Sequence, residues 1–404
     1  MQADIAIIVV AFNRPKALRR LLSSLGNTSY EGYNNITLII SIDYSGDNEC
    51  ADLANNMTWP HGTKMIIQHD ENLGLKKHIL QCGDLSSEHD AIIVLEDDVF
   101  VSAAFYDYAQ QAFSFYKDDA NIAGIGLYNY RFNEVAFCPF EPLADGYDNY
   151  FLQVPCSSGQ LWTKKQWQLY KDYLGPERPI EEDLLPAAVA AWPSATSWKK
   201  LFYYYLLVTN RYFVYPCISL TTNFGDTGQH HDNEMLVWQT SLLMNKKAFL
   251  FSKLSTSTSV YDAFFELDAK AFNKLTNQGL DVCIDVNGTK QLSQISNEYL
   301  LSCKKCSQPI KKYALNLYPY INNALMGMED TAIHSNFFSL GTRDSFIDAL
   351  NTDIRTVDVK RVFYNTDMLI TSGKNEVYRS KEYKIGKAIL KPLLFLKRLL
   401  KFAK

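Results

Sequence analysis

The sequence predicts an α/β fold, a Rossmann-like α/β/α sandwich with a mostly parallel central sheet, followed by an accessory region and an amphipathic C-terminal helix. Two observations support this prediction. Within the first hundred residues, apolar runs rich in β-branched residues alternate with amphipathic stretches, as in parallel strands joined by helical crossovers. In addition, 47% of the 404 residues are hydrophobic and 21% are charged, as in globular proteins that bury a large core.

Four strands and one crossover helix are predicted in order. The predicted strands are Ile5 to Val10, Ile36 to Ile42, Lys64 to Gln68 and Ala91 to Leu95. Between the first two, the stretch PKALRRLLSSL predicts a helix, because Pro15 suits a first helical turn and the leucines fall on one face. Since ligands of open α/β sheets bind beyond the carboxyl ends of the strands, the residues that follow each strand are the candidate binding residues.

The middle of the chain has a weaker pattern. Residues from about Phe140 to Asp232 are rich in Trp and Tyr, and we predict an irregular segment there. Its composition suits either a pocket lined by aromatic faces or an ordinary mixed core. Trp162, Trp167 and Trp198 are accordingly candidates for stacking on a ligand or for the core.

The following residues are predicted to form an accessory region of unknown role. We expect a strand at Val282 to Val286 and a helix near Asp344 to Leu350. The predicted division of the chain is therefore a first domain over residues 1–260, the accessory region over 261–375 and a basic helix over 376–404.

The end of the chain differs from the rest in charge. Seven Lys, one Arg and one Glu give residues Lys381 to Lys404 a net charge of +7, whereas the whole chain carries −4. In YKIGKAILKPLLFLKRLLKFAK, apolar residues recur at helical spacing among basic ones, which is typical of a helix in an anionic membrane interface. The alternative is an amphipathic helix packed on the protein. Because the start of the chain also lacks a basic leader, we expect a cytoplasmic protein, peripheral on the inner face of the cell membrane.

Composition argues against several other classes. The 40 basic and 44 acidic residues nearly balance, which argues against nucleic acid as a partner. Eight scattered cysteines argue against a disulfide framework, and Cys303 with Cys306 supplies at most half of a zinc site. No window offers the roughly 20 uncharged apolar residues that a membrane span requires.

An acidic motif follows the fourth predicted strand. The stretch AIIVLEDDVF runs directly into Glu96, Asp97 and Asp98. Three adjacent carboxylates repel one another, and a hard divalent ion with phosphate oxygens in its shell relieves that repulsion. One interpretation is thus a site for Mn²⁺ or Mg²⁺ that bridges a nucleotide diphosphate, and the other is a solvated acidic turn.

Candidate ligand residues also follow the second and third strands. In SIDYSGDN, Asp43 is placed to accept hydrogen bonds from a base or a ribose. In HDENLGLKKH, Asn72 and Gly74 predict a turn, and Lys76 or Lys77 is placed to meet phosphate. Candidate residues at successive strand ends of one sheet favour a single binding site.

Four segments of the chain resemble the nucleotide-sugar half of the GT-A glycosyltransferases. They are VVAFNRPKALRRLLSSL, SIDYSG, ENLGLKKH and VLEDDVFVSAAFYDY. The likeness is nearest to the N-acetylglucosaminyltransferases that act on mannosides and to bacterial family-two-like sugar transferases. Later, CSSGQLWTKKQW and YPCISLTTNFGDTGQHH are similar to segments of the same enzymes, so the resemblance spans roughly residues 5 to 235.

The resemblance implies a GT-A fold and a function. The implied reaction is metal-dependent transfer of a sugar from a nucleotide diphosphate sugar, a UDP-sugar above all, to a hydroxyl of a glycan or lipid-linked glycan. Together with the basic C-terminal helix, it suggests a role in the assembly of bacterial surface polysaccharide.

The resemblance also implies roles for individual residues. Asp43 would contact the base, Asp97 would lie near the ribose, and Asp98 would bind the metal. His230 falls where related enzymes place a further ligand of the metal or the diphosphate, with His231 as the fallback. The remaining implied contacts to the nucleotide sugar are Ala11, Asn13, Arg14, Asn72, Gly74 and Lys76.

The general base is where this sequence departs from the family pattern. Inverting relatives carry adjacent aspartates after a Trp, whereas here the stretch reads SWKK from Ser197 to Lys200. A base must reach the hydroxyl that it deprotonates and have a suitable pKa. The candidate bases are Glu182 and Asp183, and then Glu181, Asp226 and Asp232. For the cluster from Glu181 to Asp183, the alternative is that its negative charges stabilise a helix N-terminus. A retaining mechanism would need no general base in that place.

Two rival functions remain open. A nucleotidyltransferase also uses carboxylates and a divalent metal at strand ends, but it usually carries a glycine-rich phosphate loop near its first strand, where this sequence offers only AFNRP. The other rival is a noncatalytic glycan- or membrane-binding protein in which the carboxylates hold a structural cation. The product released from the donor distinguishes the three functions.

Overall fold

The computed structural model describes residues 2–175, 179–226, 236–329, 337–362, 374–375, 377–385 and 387. The chain divides into two compact units, Met1–Thr352 and Asp353–Lys404. The domain boundaries predicted near residues 260 and 375 stay predictions. Within the described ranges, no helix is both long enough and apolar enough to cross a membrane.

The secondary structure alternates strands and helices through the first half of the chain. In chain order the strands are β1 Ile5–Ala11, β2 Leu38–Ile42, β3 Lys64–Gln68, β4 Ala91–Glu96, β5 Val99–Val101, β6 Ile122–Gly126, β7 Phe132–Asn133, β8 Cys138–Pro139, β9 Asn149–Leu152, β10 Gln160–Thr163, β11 Tyr212–Pro216, β12 Thr221–Asn223, β13 Val260–Tyr261, β14 Val282–Asp285, β15 Tyr299–Ser302, β16 Lys304–Cys306, β17 Pro309–Tyr313, β18 Phe338–Thr342 and β19 Phe346–Leu350. The helices are α1 Pro15–Gly26, α2 Glu49–Asn56, α3 Gly74–Asp84, α4 Phe105–Tyr116, α5 Lys164–Leu174, α6 Ala187–Ala190, α7 Trp198–Thr209, α8 Ala269–Thr276, α9 Ile321–Leu325 and α10 Ile354–Val362. The four predicted strands and the predicted helix α1 are confirmed.

The central sheet is mostly parallel, as predicted. In the part of the chain that the structure describes, nine strands form it in the order β13-β9-β11-β6-β10-β4-β1-β2-β3. Strand β1 pairs in parallel with β2 and β4, and Ile7 lies opposite Leu38 on one side and Ile93 on the other. Strand β10 runs antiparallel between β4 and β6, so β4 and β6 point the same way as β1. The carboxyl ends of β1, β2, β3, β4 and β6 therefore share one edge of the sheet, called here the carboxyl edge.

Helices cover both faces of the sheet, which makes the predicted α/β/α sandwich. On one face, apolar residues of α1, α2 and α4 pack with alternate residues of β1, β2 and β4. On the other face, α3, α5 and α7 pack around Trp162, whose ring lies 4.7 Å from Trp167 and 6.0 Å from Trp198, centroid to centroid. All three tryptophans are buried, so they belong to the core and not to a ligand surface. Burial on both faces explains why the strands read as continuous apolar runs.

The prediction of an irregular segment from about Phe140 to Asp232 is wrong. The segment supplies β9, β10 and β11 to the central sheet and contributes α5 and α7 to one face. These strands are short and rich in aromatic residues, and their pairing partners are distant in sequence. Local periodicity cannot distinguish such strands from loops or buried helices, because cross-strand packing decides their state.

The accessory residues form a smaller sheet in the order β14-β15-β18-β17. The predicted strand at 282–286 is confirmed as β14. The predicted helix near Asp344 to Leu350 is wrong, because a short 3₁₀ turn is followed there by strand β19, which pairs antiparallel with β16. The buried ring of Phe346 packs with Leu300 and Ile295, so tertiary contacts fix this segment as a strand.

The second unit contains α10 and helical residues between 377 and 385. Val377, Tyr378 and Ile385 are exposed there. Most of the predicted basic helix over 376–404 lies outside the described residues, so its amphipathic face and its membrane contact stay predictions.

Candidate active site at the carboxyl edge of the sheet

The structure brings most of the predicted site residues to the carboxyl edge. Arg14, Asp43, Asn72 and Asp98 follow β1, β2, β3 and β4 in turn, and these strands are parallel neighbours. Ala11 ends β1, and its carbonyl oxygen accepts a hydrogen bond from the Asp43 backbone N–H at 2.9 Å. The first two strand ends are thus joined directly.

Arg14 lies between two carboxylates at this edge. Its Nη1 donates to Asp98 Oδ2 at 2.9 Å, and its Nη2 pairs with Asp97 Oδ1. Asp97 is buried, whereas the Asp98 side chain keeps 18% of its surface exposed. The guanidinium fork suits two oxygens at fixed spacing, so Arg14 binds both carboxylates at once. Neither the sequence nor the resemblance predicted this contact.

Burial and charge shift the pKa values of this cluster. Burial raises the pKa of Asp97 to about 6, because the loss of hydration outweighs the attraction of Arg14. Burial also raises the pKa of Glu96, with the Asp98 charge adding to the effect. Burial lowers the pKa of Arg14, but the charges of Asp97 and Asp98 outweigh that effect and hold it above its usual value. The cluster therefore favours a positive charge between its carboxylates.

Asp43 ties the loops after β2 and β3 together. Its Oδ1 accepts from the backbone N–H of Tyr44 at 2.9 Å and of Leu73 at 2.8 Å, and its Oδ2 accepts from Gly74 N–H at 3.0 Å. Asn72 Nδ2 donates back to the Tyr44 carbonyl oxygen at 3.1 Å. Gly74 has a φ of +72°, a conformation that glycine adopts at little cost, and it begins α3. The contact of Asp43 with a base stays a prediction, and in the structure its carboxylate shapes the loop.

Two imidazoles lie behind Asp43. Ser41 Oγ is 2.7 Å from His78 Nε2 and 3.2 Å from His69 Nε2. Burial lowers the pKa of His78 to about 4; the Asp43 charge opposes this shift and His69 adds to it. His78 is therefore neutral at pH 7 and supports the loop that Asp43 holds.

Lys76 makes a contact that the sequence did not predict. Its Nζ donates to the carbonyl oxygen of Ser194 at 2.9 Å. Lys77 lies 3.4 Å from Glu71 in an exposed ion pair. Asn13 is exposed after β1. The implied phosphate and nucleotide contacts of these residues stay predictions.

Two of the candidate bases are held in ion pairs, and another lies outside the described residues. Glu182 Oε1 accepts from the buried Lys200 Nζ at 2.6 Å, and Asp226 forms an ion pair with Arg20. The backbone carbonyl of Asp183 accepts from Gln294 Nε2. The candidate base Asp232 and the predicted metal or diphosphate ligands His230 and His231 belong to residues 227–235, which the structure does not describe.

The sequence did not indicate Glu134 as a site residue. Its carboxylate binds Lys199, which belongs to the SWKK stretch where the chain departs from the family pattern. Lys199 Nζ donates to both oxygens of Glu134, at 2.8 and 2.9 Å, and to Tyr130 OH at 3.2 Å. Glu134 is buried, and the charge of Lys199 also acts on the pKa of Glu96. Glu134 follows β6, whose carboxyl end lies at the same edge of the sheet as the acidic cluster. Because Glu134 and Lys199 are far apart in the sequence, no local pattern indicates that they form a pair.

The acidic cluster suits a hard divalent cation. Carboxylate oxygens are the ligands that Mg²⁺ and Mn²⁺ prefer, and the position of Arg14 shows that Asp97 and Asp98 accept a shared positive charge. Within the described ranges, no three Asp, Glu, His or Cys side chains converge on one metal position. Phosphate oxygens of a donor and water would complete a shell built on Asp98.

Residues 6–162 match the sequence model of the family described as Glycosyl transferase family 2. The matched residues run from β1 into β10 and include Arg14, Asp43 and Asp98 at the carboxyl edge. The α/β fold and this match confirm the resemblance to the GT-A glycosyltransferases seen in the sequence. This match covers less than half of the 404 residues, so it is a likeness of residues 6–162 to that family.

Solved structures are similar over part of the chain. The mannosyltransferase PcManGT from Pyrobaculum calidifontis in complex with GDP-Man and Mn²⁺ is 11% identical, with a TM-score of 0.31 over 47% of this chain and 51% of that one. Residues 1–349 of S. aureus TarS are 14% identical, with a TM-score of 0.34 over 54% and 59%. GalNAc-T7 with UDP, GalNAc and Mn²⁺ is 10% identical, with a TM-score of 0.37 over 55% and 43%.

This chain therefore spans about half the length of these structures. Likenesses this weak carry no argument about function. No curated protein matches the chain.

Proposed function

We propose that this protein transfers a sugar from a nucleoside diphosphate sugar, a UDP-sugar, to a hydroxyl of a glycan or a lipid-linked glycan, with Mn²⁺ or Mg²⁺ bound at Asp98. The observation that carries the proposal is the binding of Asp97 and Asp98 by one guanidinium at the carboxyl edge. A parallel α/β sheet binds ligands at this edge, and the two carboxylates there share a positive charge that a metal with a diphosphate can supply. The family 2 match over residues 6–162 supports the same reaction class.

The residues of the chain would divide the work as follows. Asp98, the more exposed carboxylate, would hold the metal, which supplies positive charge to the departing diphosphate when bound. Arg14 would turn its fork from the carboxylates to the phosphate oxygens as the donor enters. Asp43 would keep the loops after β2 and β3 in place for the nucleotide through its three backbone hydrogen bonds.

The proposed location and acceptor rest on the end of the chain. The charge of +7 over Lys381 to Lys404 would bring the enzyme to the anionic inner face of the cell membrane, where a lipid-linked glycan is available. Synthesis of bacterial surface polysaccharide is the corresponding process.

The proposal is tested by donor turnover. The full-length protein is incubated with a panel of uridine, guanosine and thymidine diphosphate sugars, with Mn²⁺, with Mg²⁺ or with a chelator, and the products are separated by chromatography. Metal-dependent release of a nucleoside diphosphate from a uridine donor is the expected result. Release of pyrophosphate instead would indicate a nucleotidyltransferase. Failure to bind any donor in calorimetric titrations with metal present would contradict the proposal.

A further inference from the structure

Three aromatic side chains lie together beside the carboxyl edge and have no part in the site described above. The ring of Phe132 is central, with its centroid 5.4 Å from that of Trp238 and 6.2 Å from that of Phe137, both edge to face. Phe137 exposes 60% of its surface, and Phe132 and Trp238 are half-buried. We call these three residues the aromatic platform.

The backbone holds Phe137 in its exposed position. Asn133 Oδ1 accepts from the backbone N–H groups of Val135 and Ala136, both at 2.9 Å, and Phe137 N–H donates to the Asn133 carbonyl oxygen at 2.9 Å. This tight turn between β7 and β8 gives Phe137 a φ of +54°, a conformation that bulky residues rarely adopt and that costs free energy. Folding alone does not explain an exposed phenyl ring at a position that favours glycine.

One hydrogen bond and one strand pair connect the aromatic platform to the segment after the acidic cluster. Thr240, two residues after Trp238, donates from its backbone N–H to Thr222 Oγ1 at 2.9 Å. Thr222 lies opposite Phe100 across the β12–β5 pair, and Phe100 comes two residues after Asp98. The aromatic platform is therefore linked, through β12 and β5, to the segment that follows the acidic cluster.

Polar residues lie next to the members of the aromatic platform in the sequence. Glu134 follows Phe132 by two residues and is bound by Lys199. The Arg131 side chain keeps 52% of its surface exposed, and Gln239 beside Trp238 is exposed as well. Solvent-accessible aromatic rings next to polar groups match a saccharide, because a pyranose ring carries C–H groups on one face and hydroxyl groups at its rim. The C–H groups are attracted by the negative face of an aromatic ring, and the hydroxyl groups need hydrogen-bond partners.

We propose that the aromatic platform is the acceptor subsite, on which a pyranose ring of the glycan acceptor stacks while its hydroxyl group is presented to the donor. The proposal rests on the proposed glycosyltransferase function and names the substrate class at that site. It also replaces Trp162, Trp167 and Trp198, which are buried, as the sugar-stacking residues.

The test measures saccharide binding directly. Chitotriose, maltotriose and mannotriose are titrated into the full-length protein, and binding is followed by saturation-transfer difference NMR. Phe137→Gly and Trp238→Ala should each weaken binding of the saccharide that the wild-type protein prefers by about fivefold, because an aromatic contact contributes of the order of 1 kcal/mol. Phe115→Ala is the matched control, since Phe115 is also exposed but lies on α4, away from the carboxyl edge; its affinity should equal that of the wild-type protein.

Two further measurements keep the result interpretable. Phe137→Gly should not lower the thermal midpoint of unfolding, because glycine adopts a positive φ freely, so a loss of affinity in this variant cannot be assigned to unfolding. Calorimetric titration of UDP with Mn²⁺ into the wild-type protein separates the two proposals. Absence of UDP binding contradicts the proposed function and with it the acceptor role.

Several outcomes would overturn the subsite while leaving donor binding intact. One is equal saccharide affinity in the wild-type protein, Phe137→Gly and Trp238→Ala. Another is no binding of any of the three saccharides by a wild-type protein that binds UDP. A third is a loss, in the Phe137→Gly variant, of binding to phosphatidylglycerol vesicles and not to saccharides, which would make the aromatic platform a membrane contact.

Discussion

At the scale of single residues, the carboxyl edge is organised by the cost of placing carboxylates side by side. Asp97 and Asp98 would repel each other and lose hydration on burial, and Arg14 relieves both effects by bridging them. A metal with a diphosphate can take over this neutralisation, which links the arrangement to the proposed reaction. The two aspartates differ in exposure, so the more exposed Asp98 is the residue to test.

Replacement of Asp98 tests its proposed role as a metal ligand. Asp98→Asn should lower sugar transfer at least about 100-fold, because an amide holds a divalent cation and its bound phosphates poorly. Asp118→Asn is the matched control: Asp118 is exposed after α4 and before β6, away from the carboxyl edge. Transfer assays on both variants, with circular dichroism to verify folding, check the prediction. Wild-type rates in a pure Asp98→Asn preparation would exclude the assigned role.

The buried imidazole of His78 should make stability depend on pH. The pKa of His78 is lowered to about 4 in the folded protein, whereas the unfolded chain takes up this proton near pH 6.5. Between these values the unfolded state binds more protons, so its stability rises relative to the folded state as the pH falls. The free energy of unfolding should thus decrease by up to about 3 kcal/mol from pH 6.5 to pH 4 through this group.

Urea unfolding at pH 7 and pH 5 measures the effect. His78→Gln cannot take up this proton and keeps a polar group near Ser41, so its stability should change less with pH than that of the wild-type protein. An identical pH dependence in the variant and the wild-type protein would count against the assignment.

At the scale of elements, charged side chains join segments that are far apart in sequence. Asp43 connects the end of β2 to the start of α3, and the pair of Lys199 and Glu134 connects α7 to the β7–β8 hairpin. Both connections converge on the carboxyl edge, so the loops there are fixed by the elements behind them. Preorganisation of this kind is required where a site must hold its groups in place.

The Lys199 and Glu134 pair lends itself to a double-mutant comparison. Glu134→Ala alone leaves a largely buried ammonium without its carboxylate and should lower the free energy of unfolding by about 3–5 kcal/mol. Replacing both partners, Glu134→Leu with Lys199→Met, removes both charges and should cost much less. Chemical denaturation of the two variants checks this, and equal losses would show that the pair does not act as a buried ion pair.

At the scale of the whole molecule, the chain combines an α/β unit that carries the candidate site with a second unit that ends in a basic segment. Taken without residues 381–404, the protein has a net charge of −11, which would keep it away from an anionic membrane. A separate basic segment is therefore needed if the enzyme is to work at such a surface.

Deletion of residues Lys381 to Lys404 tests the proposed location. The full-length protein should bind vesicles that contain phosphatidylglycerol, and salt should weaken this binding. The truncated protein should not sediment with them, and neither protein should bind vesicles of phosphatidylcholine alone. Cosedimentation of the truncated protein equal to that of the full-length protein would place the membrane contact elsewhere.

Local pattern sufficed for the first part of the fold. The sequence by itself determined the four strands from Ile5 to Glu96, helix α1, the parallel arrangement and the edge of the sheet at which Asp43 and Asp98 lie. These features follow from composition and periodicity, because strands buried on both faces read as apolar runs and parallel strands align their carboxyl ends. The acidic motif from Glu96 to Asp98 could be found from the sequence because it directly follows a strand that reads as an apolar run.

Only the tertiary structure decided the remaining features. It placed Arg14 between two aspartates, Glu134 against Lys199 and Phe132 against Phe137 and Trp238, and it made a strand of Phe346 to Leu350. Each of these depends on partners that are distant along the chain, and single-sequence periodicity contains no record of such partners. Lys199 and Lys200 are adjacent in the sequence, yet they bind different carboxylates, Glu134 and Glu182. Packing decides which carboxylate lies close to each lysine.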